Sequence, residues 1–134
     1  MKFIALISGL LLFCSVDAAD ISEWLKDANP QGYFPETGDY STYPDACNES
    51  TCFHLVGVYY VTPTNKGMRR VAVFSEDGKY LGAYSGFNEM PIKLVGFQLV
   101  FPESEFGSSI NFDGKLPPTR AYIDGEYFEF ESMP

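Results

Sequence analysis

Residues 70–85 read RVAVFSEDGKYLGAYS, and an Asp-Gly pair in the middle of two apolar runs fixes how the stretch folds. With Asp77-Gly78 as a two-residue type I′ turn, Glu76 faces Lys79, Phe74 faces Leu81, Ala72 faces Ala83 and Val71 faces Tyr84. This is a β-hairpin with a charge pair at its tip. Phe74, Leu81, Ala72 and Ala83 then share one side, and Val71, Val73, Tyr80 and Tyr84 the other. Both sides are apolar, so the hairpin is expected to be covered twice, by the core within and by the N-terminal helix or loop without.

A second hairpin repeats the device in 119–131, TRAYIDGEYFEFE. Around Asp124-Gly125, Ile123 faces Glu126, Tyr122 faces Tyr127, Ala121 faces Phe128, Arg120 faces Glu129 and Thr119 faces Phe130. One face carries Ala121, Ile123, Phe128 and Phe130 and reads as core. The other carries Tyr122, Tyr127, Arg120 and Glu129, an aromatic pair beside an ion pair, and reads as water-facing.

Between the hairpins the texture is the same. FHLVGVYYV, from Phe53, is dense in β-branched and aromatic residues and ends at Thr62-Pro63, before a polar turn at 64–67. MPIKLVGFQLVFP, from Met90, holds two short apolar runs around Gly96, a turn or bulge. Residues 102–107 form another turn, 108–112 a short strand, and DGKLPP a loop. With no helical period between strands, parallel crossovers have no room. The fold class is therefore mainly β: a single antiparallel meander of about eight short strands that closes into a small barrel or sandwich.

The N-terminal third differs. Lys2 followed by the apolar FIALISGLLLF and the small residues around Ala18 has the form of a cleaved signal peptide over residues 1–18. Its apolar run is short for a bilayer span. Residues 19–52 hold a short helix and an acidic loop, and 53–134 the β domain, the two forming one globular unit. Asp20 caps the helix with Glu23 three residues on, and Ile21, Trp24, Leu25 and Ala28 fall on one face before Asn29-Pro30 stops it. Two turns of helix are not stable alone, so Trp24 is the expected anchor on the domain, plugging an open end or covering an edge. From Gln31 to Ser50 no period of either kind survives, and Tyr33, Phe34, Tyr40 and Tyr43 are read as pinning an extended segment, or, where exposed, as a binding surface.

The chain has 134 residues and a net charge of −9, and seven acidic residues face the single Lys26 between Asp20 and Ser50. An acidic surface repels phosphate backbones and anionic headgroups, which disfavours nucleic acid and membrane partners. Cys47 and Cys52, in an oxidising compartment, are expected to form a disulfide that closes a small loop and contributes about 2 kcal/mol. The expected location is secreted or periplasmic. Asn48-Glu49-Ser50 is a glycosylation acceptor triplet if the source is eukaryotic.

Catalytic groups are scarce. His54 is the only histidine, so a nucleophilic triad would have to use it, and no nucleophile elbow surrounds any serine. Zinc on Cys47, Cys52 and His54 lacks a fourth ligand, and the cysteines lack redox-motif spacing. Calcium on Glu36, Asp39, Asp45 and Glu49 lacks the alternating pattern of a calcium loop. No cofactor or metal is expected. The leading expectation is a non-enzymatic binding module that recognises a protein or glycan through Tyr122, Tyr127, Arg120 and Glu129, with Tyr40 and Tyr43 as a second patch. The alternatives are a small hydrolase using carboxylate pairs, Glu103 with Glu105 or Glu129 with Glu131, and a structural or inhibitory envelope protein.

Overall fold

A computed structural model describes residues 39–102 and 108–132. The residues read as signal peptide, the helix expected over Asp20–Ala28, and Glu103 and Glu105 lie outside the described residues. Within them the protein is mainly β, with two antiparallel sheets and no helix. The larger sheet is built on β3 (Cys52–Val61), β4 (Gly67–Phe74) and β5 (Tyr80–Ser85). Two short pieces, β1 (Asp39–Thr42) and β2 (Ala46–Cys47), pair side by side along β3. The smaller sheet is an unbroken meander of β6 (Lys93–Val95), β7 (Gln98–Val100), β8 (Ser109–Asn111), β9 (Arg120–Ile123) and β10 (Glu126–Glu129).

Beyond Phe130 the chain crosses to the larger sheet, where β11 (Glu131–Ser132) pairs with β5. One meander thus becomes two, joined by the β5–β6 connection and closed at the far edge by this switch. Eleven strands are described where about eight are expected from sequence. Most of the excess lies at 39–47, read from composition as loop. Those residues have no strand pattern of their own, and the open edge of β3 supplies the order as backbone hydrogen bonds that local propensity does not encode.

The sheets meet over a core of Phe53, Leu55, Val71, Val73 and Tyr84 from the larger sheet and Leu99, Ile110, Ala121 and Ile123 from the smaller. Phe101 and Phe112 join them. The Tyr84 hydroxyl, among these rings, donates to the Pro118 carbonyl at 2.6 Å. Burial pushes its pKa well above the ordinary value. The core face of the C-terminal hairpin is as read from sequence: Ala121 and Ile123 are buried, with Phe128 and Phe130 packed against them.

The register of β9 and β10 also agrees with the sequence reading at all four pairs, Ile123 with Glu126 through Arg120 with Glu129. Asp124 and Gly125 both have positive φ, 50° and 85°, as a type I′ turn requires. In the first hairpin Ala72 faces Ala83 and Val71 faces Tyr84 as expected, but the tip differs. Only Gly78 of the Asp-Gly pair has positive φ, 87°. Ser75 closes the turn instead, donating its N–H to the Lys79 carbonyl at 2.8 Å and accepting from Gly78 N–H at 2.9 Å. The loop is thus the three-residue form, with glycine in the left-handed position.

That extra loop residue pairs Phe74 with Tyr80 rather than Leu81, and a register shift between Val73 and Phe74 restores the alignment beyond it. The faces change accordingly. Tyr80 stacks against Phe74, ring centroids 5.4 Å apart, while Leu81 packs on the inter-sheet core. The charge pair expected at the tip is replaced by a Glu76 carboxylate accepting from Cys52 N–H at 3.3 Å.

Candidate functional site

The outward face of the smaller sheet follows from register alone. Lys93 pairs with Val100, Val100 with Ser109, Ser109 with Tyr122 and Tyr122 with Tyr127. Directly opposed residues of antiparallel strands point to the same side, so these five form one row across every strand. Leu94, Leu99 and Ile110 of the neighbouring row point inward to the core. The aromatic end of the outward row is its most exposed part: Tyr122 is 41% and Tyr127 65% exposed.

These two rings meet edge to face with centroids 5.0 Å apart, and the Arg120 guanidinium lies 4.9 Å from the centre of the Tyr127 ring. The sequence places Arg120 opposite Glu129, and the register does so too. Yet the cation stacks on tyrosine, and no ion pair forms between Arg120 and Glu129 within salt-bridge distance. In water an exposed ion pair contributes little, whereas the planar guanidinium gains contact area and cation–π attraction on the ring. The result is a preorganised stack of Arg120, Tyr127 and Tyr122 facing solvent.

The second expected patch is not assembled. Tyr40 is on β1, where it pairs with Val58 and is 37% exposed. Tyr43 turns the other way. Its hydroxyl donates to the Pro91 carbonyl at 2.9 Å, its ring packs on the core with Met90 beside Gly57, and burial pushes its pKa up to about 12. It acts as a pin that holds the edge segment to the domain, the structural reading of that stretch.

Cys47 and Cys52 are a cross-strand pair joined by a disulfide. Inside the loop it closes, Asn48 is fully engaged. Its Oδ1 accepts from the N–H groups of Ser50 (2.7 Å) and Thr51 (3.1 Å), and its Nδ2 donates to the carbonyls of Phe112 and Gly114, each at 2.8 Å. Both amide protons are used to tie the clip to the β8–β9 loop. A glycan at Nδ2 would remove one of them, so the folded geometry favours a clamp over a sugar acceptor.

His54 is held by Asp45 through Nδ1 at 2.7 Å and by the Glu76 carbonyl through Nε2 at 3.0 Å. Burial pushes its pKa down, but the hydrogen bonds and charges of Asp45 and Glu76 outweigh that, and the net shift is upward. With the cysteines joined, the zinc set considered from sequence is already consumed. Among the described residues no group of three or more His, Cys, Asp and Glu converges as metal ligands.

One concavity combines carboxylates with apolar floor. Phe87, Phe101, Ile123 and Phe128 line it, with Glu89, Asp124 and Glu126 at the rim. Composition gives no hint of this cleft, because its floor is gathered from three separate segments. The carboxylate pair Glu129 and Glu131 is split between sheets, and Glu131 accepts from the Ser85 hydroxyl at 3.0 Å.

The architecture is that of a small protein of two antiparallel sheets with one aromatic, solvent-facing side. No family model, no curated protein and no solved structure matches the chain.

Proposed function

We propose that the protein is an exported, non-enzymatic recognition module that takes a protein partner on the outward face of its smaller sheet. The observation that carries this reading is the stack of Arg120, Tyr127 and Tyr122, two exposed rings held by register and by each other. Tyrosine offers large contact area at low entropic cost, and rings already fixed before binding lose little more on contact. The net charge of −9 favours a partner with a basic surface, through faster encounter. Export is supported by the signal-like first 18 residues and by the disulfide.

The decisive experiment is capture from extracellular or periplasmic extract by the intact chain and by a Tyr122→Ala/Tyr127→Ala variant. Capture should fall at least tenfold with the variant, with its circular dichroism unchanged. Equal capture by both would remove this surface from consideration. Elution by oligosaccharide but not by salt would point to the glycan alternative.

The cleft at Phe87 and Phe128 supports the hydrolase alternative, since it brings Glu89, Asp124 and Glu126 together. A general acid needs a carboxyl group withdrawn from water, and all three residues are exposed. Turnover of a glycoside or ester panel that Glu126→Gln abolishes would overturn the non-enzymatic reading.

A further inference from the structure

The larger sheet has a second apolar face. Val56, Val58, Ala72, Phe74 and Ala83 alternate with the residues of the inter-sheet core and lie opposite one another in register. All five are between 0% and 3% exposed, yet none belongs to the core shared with the smaller sheet. Every strand from β6 to β10 lies on the other side. Burial this complete on a face away from the second sheet requires a cover.

We propose that this face is the seat of the chain's own N-terminal amphipathic helix, Asp20–Ala28, with Trp24 and Leu25 packed over Ala72 and Ala83. The shape is suitable, because the two alanines face each other across β4 and β5 and leave a shallow trough, with Val58 beside it and Phe74 and Tyr80 at its end. A helix of nine residues is about 13 Å long, comparable to three strand spacings. Its apolar stripe, Ile21, Trp24, Leu25 and Ala28, has no other way to leave water within so short an element.

The connection can reach. β1 enters along β3 with Tyr40 beside Val58 on this same face. Residues 29–38 separate the helix from β1, and ten residues span up to about 33 Å, against about 10 Å from β3 to β5. Charge agrees as well: the segment carries Asp20, Glu23, Asp27 and Glu36 against Lys26 alone, and Arg70 flanks Val58 on the sheet. With this side closed by the chain itself, the outward face of the smaller sheet is the one left for a partner.

Trp24 is the only tryptophan, so it reports its own docking. In the purified full chain its emission should be blue-shifted from that of the urea-unfolded chain, and acrylamide should quench it several-fold less. Emission and quenching equal to the unfolded chain would overturn the proposal. Location is read by thiols on opposite faces of one strand, Ala72→Cys and Val73→Cys, reacted with iodoacetamide. Adding Trp24→Ser should speed labelling of the Ala72→Cys thiol at least tenfold more than that of the Val73→Cys thiol. Equal acceleration at both, or none, would overturn it, as would protection that weakens on dilution, which would make a second copy the cover. If the cysteine variants do not fold, the Trp24 emission and quenching decide alone.

Discussion

The same dipeptide turns two hairpins in two ways. Asp124-Gly125 makes a two-residue loop with both residues at positive φ, while Asp77-Gly78 sits in a three-residue loop with only the glycine there. The difference lies one or two residues upstream. Ser75 accepts from Lys79 N–H on its hydroxyl oxygen at 3.1 Å and donates to the Asp77 carboxylate, so its side chain closes the longer loop. Ile123, in the corresponding place, is buried and has no polar group to offer.

The β3–β4 turn confirms which flank matters. There Thr62 accepts from Lys66 N–H on its hydroxyl at 3.1 Å and lies 3.0 Å from the Thr64 hydroxyl, with Asn65 at φ 64° in the left-handed position. TPTNK and SEDGK are thus one pattern: a hydroxyl residue, two ordinary positions, a left-handed Asn or Gly, then Lys. The longer loop has a consequence that the shorter one lacks. Its extra residue must be absorbed, and β5 does so with the irregularity beside Gly82.

The largest effect should come from removing that absorber. Gly82 has φ 150°, and a Cβ there would strike the Glu131 carbonyl oxygen and approach the Phe130 ring to 2.6 Å. Gly82→Ala is expected to cost on the order of 3 kcal/mol, seen as a lower urea midpoint, and to release β11 from β5 first in hydrogen exchange. An unchanged midpoint would mean that the β5 irregularity is not needed. Ser75→Ala comes next, at about 1 kcal/mol for the lost closure, because the shorter loop has no use for a hydroxyl. Ser108→Ala is its counterpart, removing the 2.8 Å acceptor for Asp124 N–H at the other tip. A smaller loss is expected there, since water can replace that oxygen at an exposed turn. Equal losses at both tips would deny that the first turn depends on its flank.

The contrast also shows what a sequence discloses. Alternation of apolar residues around Asp124-Gly125 gives the register, the core face and the wet face of β9–β10 correctly, since all three are local. At Asp77-Gly78 the pairs far from the turn are right because the β5 irregularity cancels the longer loop; those near it, Phe74 with Leu81 above all, are not. Contacts made by distant chain are less accessible still. Asn48 reads as a sugar acceptor from its triplet, and its use as a clamp depends on carbonyls more than sixty residues away. Tyr43 and Tyr40 look equivalent in sequence, and only the fold sends one to the core. The aromatic pair of the candidate site was legible; the stacking of Arg120 on Tyr127 in place of an ion pair was not, because register alone does not rank a ring against a carboxylate.

The smallest expected effect separates the two tips by charge. Nε2 of His54 bonds the carbonyl of Glu76, inside the first turn, while Nδ1 bonds Asp45 on the edge segment. The second tip is tied by Ser108, which does not titrate. His54 has its folded pKa raised above 6.5, so the folded state holds its proton more tightly than the unfolded chain does. The stabilisation is complete below the unfolded value and is lost as pH climbs through the raised folded value. Amide exchange at Gly78 and Lys79, corrected for its intrinsic pH dependence, should therefore show protection falling as pH rises through that window, with Gly125 and Glu126 unaffected. His54→Gln should flatten the first trend. A parallel fall at both tips would locate the pH sensitivity elsewhere, and the difference between the hairpins would then rest on Ser75 alone.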